Sequence, residues 1–294
     1  MRSWISHLVR LAFFPVGFLF ANCATLRGHV GGATPRPLKT DFTRKFDIVY
    51  TPEHWPEALQ GDLYRPMMKQ AAPGVLLLHF GGWRGDDHRR AMSRIARKLA
   101  SRGYVVFNVT YRKSPHWIYP AQVEDLHQAL AWMRRHAAEN GMDPDQIATY
   151  GYSAGGHLAS LVGLMKHPHD EGIKAVVAGG IPADLTFPDT DRMVHDFLGG
   201  TKEALPQRYH DASPLSHVNA SNPPVFLYHG RRDTLVPSEQ VRNFATALEK
   251  AGVPHEMHWL NGRGHISAFL FPGRANDEAI DFLDRVFRPV IKGG

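Results

Sequence analysis

The sequence predicts an α/β fold, a mostly parallel central sheet covered by helices on both faces. Two observations carry this. The first is Val75-Leu76-Leu77-Leu78-His79-Phe80, a continuous apolar run behind the Pro73-Gly74 break. A strand buried on both faces of a parallel sheet reads this way, without alternation. The second is that strand-like and helix-like segments take turns from there to the C-terminus, the pattern of a βαβ series. A length of 294 residues, 43% apolar and 21% charged, suits one large core of this class.

The elements follow in chain order. Phe46 to Tyr50 alternates like a strand, and Leu59 to Tyr64 reads as its hairpin partner across a turn, an antiparallel edge for the sheet. After the buried run, Arg89 to Ser101 reads as helix, Tyr104 to Val109 as strand and Pro120 to Asn140 as helix. The strand Ile147 to Tyr150 and the helix His157 to Met165 bracket Gly151-Tyr152-Ser153-Ala154-Gly155-Gly156. Lys174 to Ala178 is the sixth strand. Residues 181–222 then break the alternation with Pro182, Pro188, Pro206 and Pro214, and are expected to form short helices over the top of the sheet, as a lid or a pocket wall. Val225 to Tyr228 and His255 to Leu260 are the last strands. Ser238 to Ala251 and Arg274 to Phe287 are the last helices.

The N-terminus reads as a targeting segment. Arg2, His7 and Arg10 precede the apolar run Leu11 to Ala21, which has the length of a secretory signal and is too short and too interrupted by Pro15 and Gly17 for a membrane span. The single cysteine, Cys23, excludes an internal disulfide. Its position resembles that of a bacterial lipoprotein signal, with Phe20 and Asn22 where Leu and a small residue are usual; ordinary cleavage nearby is the alternative. Residues 1–23 are therefore expected to export the chain, to the periplasm, a membrane-anchored state or the medium. Residues 24–43, rich in Gly, Pro and Thr, read as a linker, and the ordered domain is expected over 44–294. The formal charge of +6 falls to +4 without Arg2 and Arg10. The remaining charges are interspersed, so no nucleic-acid partner is expected.

The hexapeptide around Ser153 contains G-x-S-x-G between a strand and a helix, the setting of a nucleophile elbow. Gly151 and Gly155 let strand and helix approach closely, and the Ala154 amide, at a helix start, is free to hold an anion. A serine hydroxyl needs a base, and the base an orienting carboxylate. Both are sought after later strands, because ligands bind at the carboxyl edge of a parallel sheet. Asp233 follows the strand at 225–228 and His265 follows the strand at 255–260, giving the order Ser, Asp, His that accompanies this elbow. Asp184 is the serious rival acid; Glu239 and Asp211 are weaker ones. His229 reads as a structural strand-end residue. Gly81 and Gly82, in His79-Phe80-Gly81-Gly82-Trp83, are expected to turn amides toward an oxyanion beside that of Ala154. No dinucleotide or phosphate-binding glycine loop appears, and His167-Pro168-His169-Asp170 lacks a metal-site pattern, so neither cofactor nor metal is expected.

These motifs together resemble the α/β-hydrolase superfamily, in its branch of hormone-sensitive-lipase-like and feruloyl-esterase-like carboxylesterases. The resemblance runs from about Arg44 to the C-terminus. Asp62-Leu63-Tyr64-Arg65-Pro66 resembles the strand before the oxyanion loop of that branch. His79-Phe80-Gly81-Gly82-Trp83 resembles its H-G-G-G-[WF] loop, with Phe80 in place of the first glycine. Tyr111-Arg112-Lys113-Ser114-Pro115, Pro120-Ala121, Glu124-Asp125 and Trp132 resemble its Y-R-x-x-P … P-A … E-D … W stretch. The resemblance implies the α/β-hydrolase fold, a Ser153-His265-Asp233 triad and a small-molecule ester substrate, with short acyl or carbohydrate and aromatic esters favoured. Trp83, Trp117, Tyr152 and Phe269 are expected to shape the pocket. A peptidase or arylformamidase on the same fold is the nearest alternative, and a non-catalytic binding protein the second.

Overall fold

Val75 and Leu77 point to one face of the central strand and Leu76 and Leu78 to the other, and both faces are fully buried. That two-sided burial is what the uninterrupted apolar run encodes. The computed structural model describes residues 25–165, 172–187 and 192–289. Nine strands form one sheet: β1 (Thr25–Arg27), β2 (Phe42–Val49), β3 (Gln60–Pro66), β4 (Ala72–Leu78), β5 (Val105–Val109), β6 (Met142–Tyr152), β7 (Ala175–Gly179), β8 (Val225–Gly230) and β9 (His255–Leu260), in the order β1-β9-β8-β7-β6-β4-β5-β3-β2. The pairings from β5 through β4 and β6 to β9 are parallel. Those of β2 with β3, β3 with β5 and β1 with β9 are antiparallel.

Helices cover both faces. α1 (Arg89–Ser101) presents Met92, Ile95, Ala96 and Leu99 to the face that also receives Ala279, Ile280, Phe282 and Leu283 of α8 (Ala275–Phe287). On the opposite face lie α2 (Ala121–Arg135), α3 (Ala154–Leu164) and α6 (Ser238–Lys250), contributing Leu126, Leu130, Leu158, Leu161, Phe244 and Leu248. The segment after β7, the sixth strand by sequence, carries α4 (Arg192–Leu198), α5 (Pro206–Asp211) and a 3₁₀ turn at Pro214–His217. α7 (His265–Leu270) follows β9 and has no counterpart in the sequence reading. This is the α/β-hydrolase architecture.

Part of the stretch read as a linker, residues 25–34, is bound to the domain. β1 pairs with β9, and the chain after it is clamped rather than loose. The Val30 amide donates to Glu256 Oε1 at 2.7 Å, Arg285 Nε donates to the Val30 carbonyl at 2.8 Å, and Arg285 Nη1 donates to Thr34 Oγ1 at 2.8 Å. Arg285 also pairs with the buried Glu256 at 2.6 Å. The docking partners lie more than 200 residues away, so a local Gly/Pro/Thr composition carries no sign of them. The segment 1–23 and the His167-to-Asp170 stretch lie outside the described residues.

Candidate active site

β6 enters the turn at Tyr152, and Ser153 takes φ 55°, ψ −124° before α3 begins at Ala154. A non-glycine residue holds such angles only where its surroundings over-determine them. Here the Ser153 amide donates to the Gly179 carbonyl of the neighbouring strand at 2.7 Å, and the His157 amide donates to the Ser153 carbonyl at 2.9 Å. A methyl group on Gly155 would stand 2.3 Å from the Leu78 carbonyl oxygen, and one on Gly151 would stand 2.1 Å from that of Gly155. The two glycines are thus sites of backbone-to-backbone contact, which keeps the turn tight and its serine raised.

Two later loops bring their side chains to that serine. Ser153 Oγ lies 2.8 Å from His265 Nε2, and His265 Nδ1 lies 2.7 Å from Asp233 Oδ2. The carboxylate accepts the Nδ1 proton, which leaves Nε2 as the acceptor of the serine hydroxyl. Asp233 is itself fixed, because its Oδ1 accepts the amides of Leu235 and Val236 at 3.0 and 2.9 Å. The loops are tied to each other by the Arg232 amide donating to the Arg263 carbonyl at 2.8 Å. Beneath them, buried His229 donates Nε2–H to the Val236 carbonyl at 2.9 Å, and burial lowers its pKa. Its ring is buried at the strand end and held neutral there.

The rival carboxylates stand elsewhere. Asp184 lines the cavity in front of Ser153, but its Oδ1 accepts the amide and hydroxyl of Thr186, and its own amide donates to Gln240 Oε1. Glu239 and Asp211 are exposed on their helices, beside Arg242 and Gln207. Among these four acids it is Asp233 that meets His265.

The cavity has a volume of about 310 Å³ and is walled by Gly82, Trp83, Ser153, Ala154, Leu185, Met193, Leu235 and Val236 among others. Gly82 and Trp83 both have φ 59°, in a turn closed by the Arg84 amide on the Gly81 carbonyl at 3.1 Å. Gly82, Trp83 and Ala154 border the cavity. Gly81, with φ 131°, packs its α-carbon toward His88 instead.

His157, passed over in the sequence as an ordinary helix residue, locks this corner. It accepts Trp83 Nε1–H on Nδ1 at 3.1 Å and donates Nε2–H to the Ala212 carbonyl at 2.7 Å. Full burial pushes its pKa down to about 3, so the neutral ring bridges the Gly81-to-Trp83 turn and the segment between β7 and β8. The only hint in the sequence is its place one residue beyond the second helical glycine.

Of the four aromatic residues expected around the pocket, Trp83 lines it, stacked on Phe197 at 4.6 Å. Tyr152 does not: it is buried, and its hydroxyl donates to the His265 carbonyl at 2.6 Å, so it braces the histidine loop from below. Phe269 packs on Tyr152 and Phe80, 5.1 and 4.6 Å between ring centres. Trp117 sits apart, donating to Glu57 with the Arg112 guanidinium over its ring. Tyr152 ends a strand, Phe269 lies on α7 and Trp117 on a loop, and a sequence does not say which way an aromatic side chain faces. No group of His, Cys, Asp and Glu suited to a metal ion occurs among the described residues, and no described helix is long and apolar enough to cross a membrane.

Comparison with known proteins places this geometry in a family. Residues 61–248 match the family BD-FAE. The chain is 32% identical over 260 residues to the probable carboxylic ester hydrolase LipM of Mycobacterium tuberculosis, a match covering 78% of this chain and 59% of LipM. It spans about half the length of the curated relatives it matches. Among solved structures, a thermophilic esterase of Thermogutta terrifontis, Est2 with butyrate bound, superposes with a TM-score of 0.70 at 25% identity, over 87% of this chain and 97% of the other. A truncated carbohydrate esterase from gut microbiota shares the fold at a TM-score of 0.75 and 22% identity, over 85% and 98% of the two chains.

Proposed function

We propose that this chain, which belongs to the BD-FAE family, is a serine esterase that cleaves small carboxylic esters through an acyl-enzyme. The observation that carries the reading is the continuous chain of hydrogen bonds Ser153–His265–Asp233, 2.8 and 2.7 Å, opening on a largely apolar cavity. His265 takes the hydroxyl proton as Ser153 attacks the ester carbonyl, and Asp233 stabilises the imidazolium so formed. The oxyanion is held by amides of the Gly82-Trp83 turn and of Ala154, which border the cavity. His265 then gives its proton to the leaving alcohol, and water repeats the sequence on the acyl-enzyme.

A cavity of about 310 Å³ suits a short acyl group better than a fatty chain, in keeping with the butyrate bound to the Thermogutta relative. The basic n-region, the apolar run and the position of Cys23 support export, with a lipid anchor on Cys23 as the membrane-held state and ordinary cleavage as the alternative.

Labelling with a fluorophosphonate tests the nucleophile. Wild-type protein is expected to label and Ser153→Ala to remain unlabelled, with ester hydrolysis falling at least about a thousandfold. Equal labelling of the two proteins would remove Ser153 from the mechanism. Faster turnover of aminoacyl anilides than of p-nitrophenyl acetate would assign a peptidase.

A further inference from the structure

β1 runs antiparallel to β9 with Thr25 opposite Trp259. Trp259 is the penultimate residue of β9, and the loop to His265 leaves just beyond it. The first 24 residues of the chain therefore join the domain at the carboxyl edge of the parallel strands, the edge that holds the Ser153 cavity. Ala24 alone stands between Cys23 and the start of β1.

The same edge carries an amphipathic rim. Ile266, Leu270 and Phe271 on and just after α7 are 69%, 51% and 59% exposed, and Leu235, which also lines the cavity, is 52% exposed. Arg231, Arg232, Arg263 and Arg274 belong to the same two stretches of chain, 231–237 and 261–274. The Arg231 guanidinium lies 4.8 Å over the Trp259 ring, beside the point where the N-terminal segment arrives, and that of Arg263 lies 5.6 Å from the ring centre of Phe271. Arg274 has Glu278 at 3.6 Å. Residues 231–237 and 261–274 contain four arginines and one acid, Asp233, which is already committed to His265. Large apolar side chains left in water among arginines are the composition of an interfacial surface.

We propose that this rim rests on an anionic phospholipid bilayer, with a lipid anchor on Cys23 holding the chain there and the mouth of the cavity facing the lipid. The inference rests on the membrane-held reading of the N-terminus and is independent of the chemistry at Ser153. The apolar side chains enter the headgroup boundary, and the guanidinium groups pair with lipid phosphates, which they match bidentately. Esters dissolved in the bilayer then reach the cavity without crossing bulk water.

A thiol reporter tests this in the full chain. Cys23 is kept, since a lipidated cysteine offers no thiol and the wild-type chain sets the labelling background; Ile266→Cys carries an environment-sensitive fluorophore, and Met67→Cys serves as the reference. Met67 is 67% exposed and follows the end of β3. Because β3 begins beside the carboxyl end of β5, Met67 lies at the opposite edge of the sheet. Phosphatidylcholine–phosphatidylglycerol vesicles are expected to float the chain and to shift the Ile266→Cys label to the blue, less so in high salt, while the Met67→Cys label is unmoved. Leu270→Cys repeats the measurement should Ile266→Cys fold poorly. Arg232→Gln with Arg263→Gln is expected to lower vesicle partitioning about tenfold.

If the chain floats while the Ile266→Cys and Leu270→Cys labels are silent, or all labels shift alike, the rim is overturned and the anchored N-terminus stands. If the chain does not float, both fall. A shift that grows with protein concentration in the absence of vesicles assigns the rim to a second copy of the chain and overturns the proposal. Fluorophosphonate labelling at Ser153 is read separately, so failure here leaves the esterase reading intact.

Discussion

Two loops close on the reactive end of the sheet, and they are held in opposite ways. The loop after β8 is organised by a carboxylate: Asp233 accepts two backbone amides and the proton on His265 Nδ1. The loop after β4 is organised by bases. His79 donates Nδ1–H to the Phe80 carbonyl at 2.6 Å, and its Nε2 accepts a hydrogen bond from Lys113 Nζ at 2.9 Å. Lys113 also lies 3.5 Å over the Tyr111 ring. Burial lowers the pKa of Lys113 to about 7, and burial together with Lys113 keeps His79 well below the usual histidine range. Two adjoining buried bases cannot both carry charge at low cost. The loop after β8 is therefore built on a carboxylate held by donors, and the loop after β4 on a group that changes charge near neutral pH.

The sharpest way to break this comparison is to exchange the acids. Asp233→Asn is expected to lower kcat/KM for a short ester by about 10³- to 10⁴-fold, since the amide presents the wrong partner to His265 Nδ1. Asp184→Asn, which leaves the His265 contact in place, is expected to cost at least about a hundredfold less. Parity between the two variants would move the acid role away from Asp233.

Next in size is the turn that both loops surround. Gly155→Ala forces a methyl group against the Leu78 and His79 carbonyl oxygens, 2.3 and 2.6 Å away on unyielding backbone. It is expected to destabilise the fold by about 3 kcal/mol, read as a lower urea midpoint at unchanged m-value.

The smallest effect probes the basic side. The folded chain holds Lys113 with a pKa of about 7 against an ordinary 10.5, so between those values the unfolded state binds the extra proton. Stability then rises with pH through this window. Lys113→Met is expected to remove on the order of 2 kcal/mol of that rise between pH 7 and 9.5, seen as a flattened difference in Tm against wild type. An unchanged slope would show that Lys113 is not held in its neutral form, and the contrast between the two loops would fail.

The legible parts of the molecule are those whose signal is local. β4 was readable because burial on both faces demands an unbroken apolar run, and α1 because its apolar residues recur on one face from Arg89 to Ser101. The elbow was readable because strand, tight turn and helix all fall within about twenty residues. β1 was not, since three exposed residues paired to β9 have no pattern of their own. Nor was α7, a helix of six residues whose start is set by the loop beneath it. The expected helix over 120–140 stops at Arg135, where the chain turns toward β6.

By itself the sequence determined the α/β class, the order of its elements and the set of residues able to do the chemistry, because periodicity and turn composition act over short stretches of chain. Only the tertiary structure decided between equals: Asp233 rather than Asp184 beside His265, Gly82 and Trp83 rather than Gly81 along the cavity, Tyr152 behind the histidine rather than in the pocket. Each of these depends on the distance and direction of a side chain reaching across tens or hundreds of residues, and those are fixed by how the layers pack.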